Sequence, residues 1–148
     1  VMDFTGPFEI FSASGGRNGG EIQFNVYTVA EKSPITTKKN LIVIPNYSLD
    51  DCPKPDILII PGGGSYLSDG TPLGSRREMN NPKLLEWIRL HAPDSELILS
   101  VCTGALILAK AGLLENLAAT THFLSIDELR KIAPKTKIYP EKRWVDNG

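Results

Sequence analysis

Short apolar runs broken by glycine, proline and polar clusters dominate the chain, and their periods predict alternating strands and helices. Residues 7–14 (PFEIFSAS) predict a short helix that Pro7 opens, with Phe8, Ile10 and Phe11 as its apolar contacts. A glycine-rich loop follows over 14–20. Residues 24–30 (FNVYTVA) alternate and are rich in β-formers, which predicts a strand, and 41–44 (LIVI) predicts a second, edge strand. The run 56–61 (DILIIP) is apolar throughout and bounded by prolines, the pattern of a strand buried on both faces.

Three glycines follow at once, then a polar stretch, 65–81, expected to be a loop; its Arg76 and Arg77 could meet an anionic substrate, but a solvated loop is the better reading of both. Residues 82–91 predict a helix capped by Asn81, with Leu84, Leu85 and Ile88 at helical spacing. A second buried strand is expected over 96–101 and a helix over 103–114. A short strand over 119–121, a helix over 126–133 capped by Ser125 and a strand over 136–139 complete the series. This alternation predicts an α/β fold: a mostly parallel sheet covered by helices on both faces, a three-layer α/β/α sandwich in one domain. The opening residues 1–7 lack a preceding strand and the closing 143–148 end on a turn, so the domain is expected to be longer at both ends.

Length and charge change this picture little. A chain of 148 residues, 41% hydrophobic and 22% charged, can bury one ordinary core. A net charge of −1 makes no electrostatic case for nucleic acid or an anionic membrane surface. Two distant cysteines, Cys52 and Cys102, do not make a disulfide scaffold, and there is no apolar run of bilayer length. A cytoplasmic, reducing compartment fits.

The chemistry concentrates at residues 97–105 (LILSVCTGA), where a strand ends and a helix begins with almost no connection. A nucleophile elbow needs small residues two before and two after the nucleophile, and Ser100 and Gly104 flank Cys102 in that way. A helix N-terminus favours thiolate over thiol, and the Thr103 amide would face an oxyanion formed there. A lone cysteine after an apolar strand is ordinarily a buried structural residue; the Ser-x-Cys-x-Gly spacing favours function. Cys52, in an Asp-Asp-Cys-Pro loop, is incidental.

Gly62, Gly63 and Gly64 end the other buried strand, where ligands bind in open α/β sheets. Their amides could supply a second oxyanion donor, although taken alone the run is a plain turn. His122 is either a base for Cys102 or a hydrogen-bonded structural histidine. His91 ends a surface helix. Asp3 could shuttle a proton if it lay near the thiol, with Glu9 competing for that role.

Taken together, four motifs resemble the DJ-1/PfpI superfamily, within the class I glutamine amidotransferase-like, flavodoxin-like fold. They are residues 3–7 (DFTGP), 56–64 (DILIIPGGG), 100–105 (SVCTGA) with 111–114 (AGLL), and 119–122 (ATTH). The branch resembled is that of isonitrile hydratase, in which an aspartate of an Asp-x-Thr-Gly-Pro motif stands where the superfamily commonly has glutamate, and threonine follows the cysteine. Thr103 replaces the histidine that follows the cysteine in PfpI-type peptidases, and Phe123 stands where the branch often has tryptophan.

The resemblance implies that the Cys102 thiolate attacks the terminal carbon of an isonitrile and that protonated Asp3 donates to the developing product. The Gly63 and Thr103 amides would hold the intermediate, and water would release an N-substituted formamide. It implies a small-molecule substrate, no metal or organic cofactor, and a homodimer. Two other functions compete: a ligand-sensing domain, since similar domains occur fused to helix-turn-helix regulators, and a DJ-1-like stress or carbonyl-repair protein. The aspartate at position 3 counts against the latter.

Overall fold

The computed structural model describes residues 1–14, 20–21, 23–37 and 40–148. The greater part of the expected glycine-rich loop, 15–19, lies outside them. The chain divides into two compact units, Val1–Lys54 and Pro55–Gly148.

In the first unit, helix α1 spans Met2–Ala13 and starts a turn earlier than expected, so Pro7 lies inside it instead of opening it. Proline there has no N–H to offer the carbonyl one turn back. At the helix start the Thr5 hydroxyl donates to Val1 O (3.2 Å), which also accepts from Thr5 N–H. The expected strand at 24–30 forms no ladder among the described residues; it makes one parallel bridge, Val29 to Tyr47. Its polar groups turn to side chains instead, because Thr28 N–H and Oγ1 both donate to Asn46 Oδ1 at 2.9 Å. Strand β1 (Ile35–Thr36) was not anticipated. It pairs antiparallel with β2 (Ile42–Val43), which lies within the expected 41–44.

The second unit follows the predicted order closely. Strands β3 (Ile57–Ile60) and β4 (Leu97–Ser100) pair in parallel, with Ile57 opposite Leu97 and Ile60 opposite Ser100. That register ends both strands at one level. Neither strand is buried on both faces as expected. Leu58 and Ile60 are buried while Ile57 and Ile59 are half-buried, and Leu97 and Leu99 are 46% and 38% exposed.

Between β3 and β4, the stretch expected to be a polar loop is organised. Leu67 N–H donates to Thr71 O and Leu73 N–H to Ser65 O, closing a hairpin-like excursion. A four-residue helix, α2 (Ser75–Glu78), follows it. Helix α3 (Pro82–His91) has Pro82 at its first position and Asn81 as N-cap, whose side chain accepts from Leu84 N–H (3.3 Å).

Helix α4 (Gly104–Lys110) is apolar almost all round, and Ala105, Leu106, Ile107 and Leu108 are all buried, as an interior helix requires. It forms the core with Leu58, Ile60, Leu85, Ile88 and Leu129. Strands β5 (Ala118–Ala119) and β6 (Lys137–Ile138) pair in parallel around α5 (Ile126–Ile132). Among the described residues no helix is long and apolar enough to cross a membrane.

Candidate active site at the cysteine elbow

Register places the elbow. Val101 N–H extends the parallel ladder by donating to Ile60 O (3.0 Å), and the chain then turns at Cys102 with φ +54°. A non-glycine residue at positive φ is strained unless its surroundings hold it there. Two glycines do so by letting backbone approach backbone. A Cβ on Gly104 would run into Ile60 O, and one on Gly62 would lie 2.5 Å from Thr103 N and 2.7 Å from Val101 O. Thr121 Oγ1 ties the turn from a third direction by donating to Cys102 O (2.9 Å).

Cys102 is half-buried on the wall of a cleft of about 340 Å³, shared with Gly63, Thr103, Tyr66, Arg76 and His122. That volume suits a small organic ligand. The Thr103 amide finds no acceptor among the described residues, which leaves it available to an oxyanion.

The glycine loop behaves differently from its expected role. Gly63 N–H donates to Thr103 Oγ1 (3.0 Å), so this amide is already engaged and is no second oxyanion donor. Ser75 Oγ lies 2.8 Å from Thr103 Oγ1 and donates to Gly63 O (2.7 Å). Ser75 and Thr103 are both buried, and this closed network clamps loop to elbow. Gly62 does not line the cleft; its part is the close approach described above.

His122 lines the cleft, but no hydrogen bond joins it to Cys102 among the described residues. Its Nδ1 accepts from Leu124 N–H (3.4 Å), and its ring lies 4.6 Å from that of Phe123. It therefore caps its own turn. Asp3 lies in the first turn of α1, in the first unit, half-buried. Glu9 is exposed on the same helix, and no disulfide joins Cys52 to Cys102.

Arg76 corrects the expectation of a solvated loop residue. Its side chain is only 13% exposed, pairs with Glu128 (3.2 Å) and donates to Ser125 Oγ (2.8 Å). Arg77 is solvated as expected, at 63%. Ser125 stands at the start of α5 but makes no cap bond; its hydroxyl oxygen accepts from Arg76 instead. Ser75 has no motif that marks it as a site residue, and Arg76 reads from sequence as a possible contact for an anionic substrate but more readily as a solvated loop residue. Their one local signal is Gly74, at φ +59°, where a Cβ would lie 2.7 Å from Gly63 O.

Comparison with known proteins agrees with this architecture. The DJ-1/PfpI family model matches residues 1–148. The isonitrile hydratase of Pseudomonas putida is 31% identical over 128 residues, covering 86% of this chain and 50% of that protein. The HTH-type transcriptional regulator CdhR of Pseudomonas aeruginosa is 26% identical over 146 residues, 99% of this chain and 40% of the regulator. Among solved structures, a ThiJ/PfpI family protein from Pseudomonas syringae superposes with a TM-score of 0.80 at 28% identity, covering 99% of this chain and 54% of that one. The α/β sandwich class expected from the sequence stands on that match. The chain thus spans about half the length of the hydratase and of the P. syringae protein.

Proposed function

Because the chain belongs to the DJ-1/PfpI family, we propose that it is a cysteine-dependent enzyme that hydrates a small isonitrile to an N-substituted formamide. The observation that carries the reading is Cys102 held at φ +54° on the wall of a ligand-sized cleft. A strained, sterically enforced turn is how a fold presents a nucleophile. The 31% identity to an isonitrile hydratase supports the substrate class.

In this reading the Cys102 thiolate adds to the terminal carbon of R–N≡C. A proton, which the family resemblance would have Asp3 supply, goes to that carbon, giving a thioimidate, R–N=CH–S–Cys102. Water adds to the same carbon as the nitrogen takes up a proton. Collapse of the tetrahedral adduct then breaks the C–S bond, releases R–NH–CHO and regenerates the thiolate. Asp3 recovers its proton from the water. The Thr103 amide steadies the polar adduct, and binding in the cleft holds the isonitrile carbon near the sulfur. Family membership also leads us to expect a homodimer in a reducing compartment.

The test is turnover of a simple alkyl isonitrile such as tert-butyl isonitrile, in water enriched in oxygen-18. We expect a formamide carrying one heavy oxygen, and none from Cys102→Ala. Turnover by Cys102→Ala would overturn the nucleophile assignment.

A second reading is favoured by the match to the regulator CdhR over 99% of the chain: the cleft senses a ligand and passes the signal to another domain. Saturable ligand binding without turnover, unchanged in Cys102→Ala, would favour it.

A further inference from the structure

We propose that the Cys102 cleft selects ligands bearing a carboxylate, and that Arg76 is the group that binds it. This deepens the reading of Cys102 as the reacting thiol and rests on it.

Arg76 is the one acidic or basic side chain lining the cleft among the described residues, apart from the imidazole of His122. It is also held in place before any ligand arrives. Ser125 Oγ accepts from Nη2 (2.8 Å), Glu128 pairs with the same nitrogen (3.2 Å) and the Tyr66 ring lies 5.5 Å from the guanidinium carbon. Ser125 is wholly buried, so the anchor is not a solvent-exposed hydroxyl that water could replace. An arginine fixed in this way loses little side-chain freedom when it binds.

Donor counting shows what is left. A guanidinium carries five N–H groups. Nη2 is committed to Ser125 and Glu128, and Nη1 makes one long contact, 3.5 Å, to Gly64 O. The Nε–H finds no acceptor among the described residues, and a second Nη1–H is also free. Both two-donor edges of the guanidinium include Nη2, so the spare Nε–H and Nη1–H each offer one charge-assisted hydrogen bond to a single carboxylate oxygen.

Glu128 pairs with the guanidinium and offsets part of its charge. The cleft also carries apolar surface, since Leu124 is 76% and Tyr66 53% exposed on its wall. The ligand class is therefore a small carboxylate with a modest apolar group and its reactive carbon near Cys102. Within the isonitrile reading that is the anion of an α-isocyano acid.

The test compares iodoacetate with iodoacetamide, near-isosteres that differ in charge, as alkylating agents on the full chain. Cys52 in the same molecule is the reference, and both sites are quantified by peptide mass spectrometry at fixed pH and salt. We expect the iodoacetate-to-iodoacetamide rate ratio at Cys102 to exceed that at Cys52 by about tenfold, the scale of one charge-assisted contact. Arg76→Gln should bring the ratio down to that of Cys52, and Arg76→Lys should restore part of it. Glu128→Gln should raise it, because it unmasks the guanidinium.

A residue that only pins α2 to α5 would make Arg76→Gln and Glu128→Gln move the ratio together or not at all, and that result overturns the proposal. Should Arg76→Gln fail to fold, Arg76→Lys and Glu128→Gln still decide it. Turnover separates the two ideas. A raised ratio without turnover of any isonitrile keeps the carboxylate site and removes the hydratase reading. Equal turnover of isocyanoacetate and its methyl ester, with a flat ratio, does the reverse.

Discussion

Gly63 N–H donates to Thr103 Oγ1 at 3.0 Å, so the glycine loop after β3 is fastened to the residue that follows the candidate nucleophile. Ser75 completes the arrangement from α2. Thr103→Val keeps the shape and removes the hydroxyl, leaving a part-buried amide and a buried serine without that partner. We expect a loss of about 1–3 kcal/mol in unfolding free energy by urea titration. Thr103→Ser should recover most of it; equal losses in both variants would mean that packing, and not the hydroxyl, matters.

Gly104 faces a different constraint. Any Cβ there meets Ile60 O at the end of β3, and the nearest atoms are all backbone of Ile60 and Pro61, not a flexible side chain that could give way. Gly104→Ala is expected to cost about 1–3 kcal/mol, the range of overpacking. It should also slow alkylation of Cys102 by displacing the turn. An alanine variant with unchanged stability and reactivity would show that the elbow is looser than its geometry indicates.

Cys102 at φ +54° implies stored strain. Glycine releases that strain and alanine does not. Cys102→Gly should therefore unfold at higher denaturant than Cys102→Ala, by about 1 kcal/mol after offsetting glycine's larger unfolded-state entropy. Both variants should be inactive. An alanine variant more stable than the glycine one would show that the strain is not there.

Asp3→Asn tests the proposed proton donor. It removes the acid with little change of shape, so kcat should fall by about 10²-fold or more with the fold retained. An unaffected kcat would transfer the role to Glu9, His122 or water.

Legibility followed locality. The α3 helix, its Asn81 cap and the strand–Cys102–helix elbow depend on residues within a few positions of one another, and all were readable from period and spacing. Pro7 resembles a helix opening, yet α1 begins at Met2 and the turn before the proline is already helical. Residues 24–30 have strand composition, but their polar groups are taken by Asn46 and Tyr47, partners that composition does not reveal.

By itself the sequence determined the α/β alternation, the order of the elements in the second unit and the identity of the cysteine turn. These are set by short-range sterics and side-chain periodicity. Tertiary structure alone decided that the Gly63 amide is spent on Thr103 and that Arg76, within a polar stretch, is drawn in by Ser125 and Glu128, about fifty residues away. A hydrogen-bond donor and a buried charge are satisfied by whatever the fold brings alongside them, and local pattern carries no record of that neighbour.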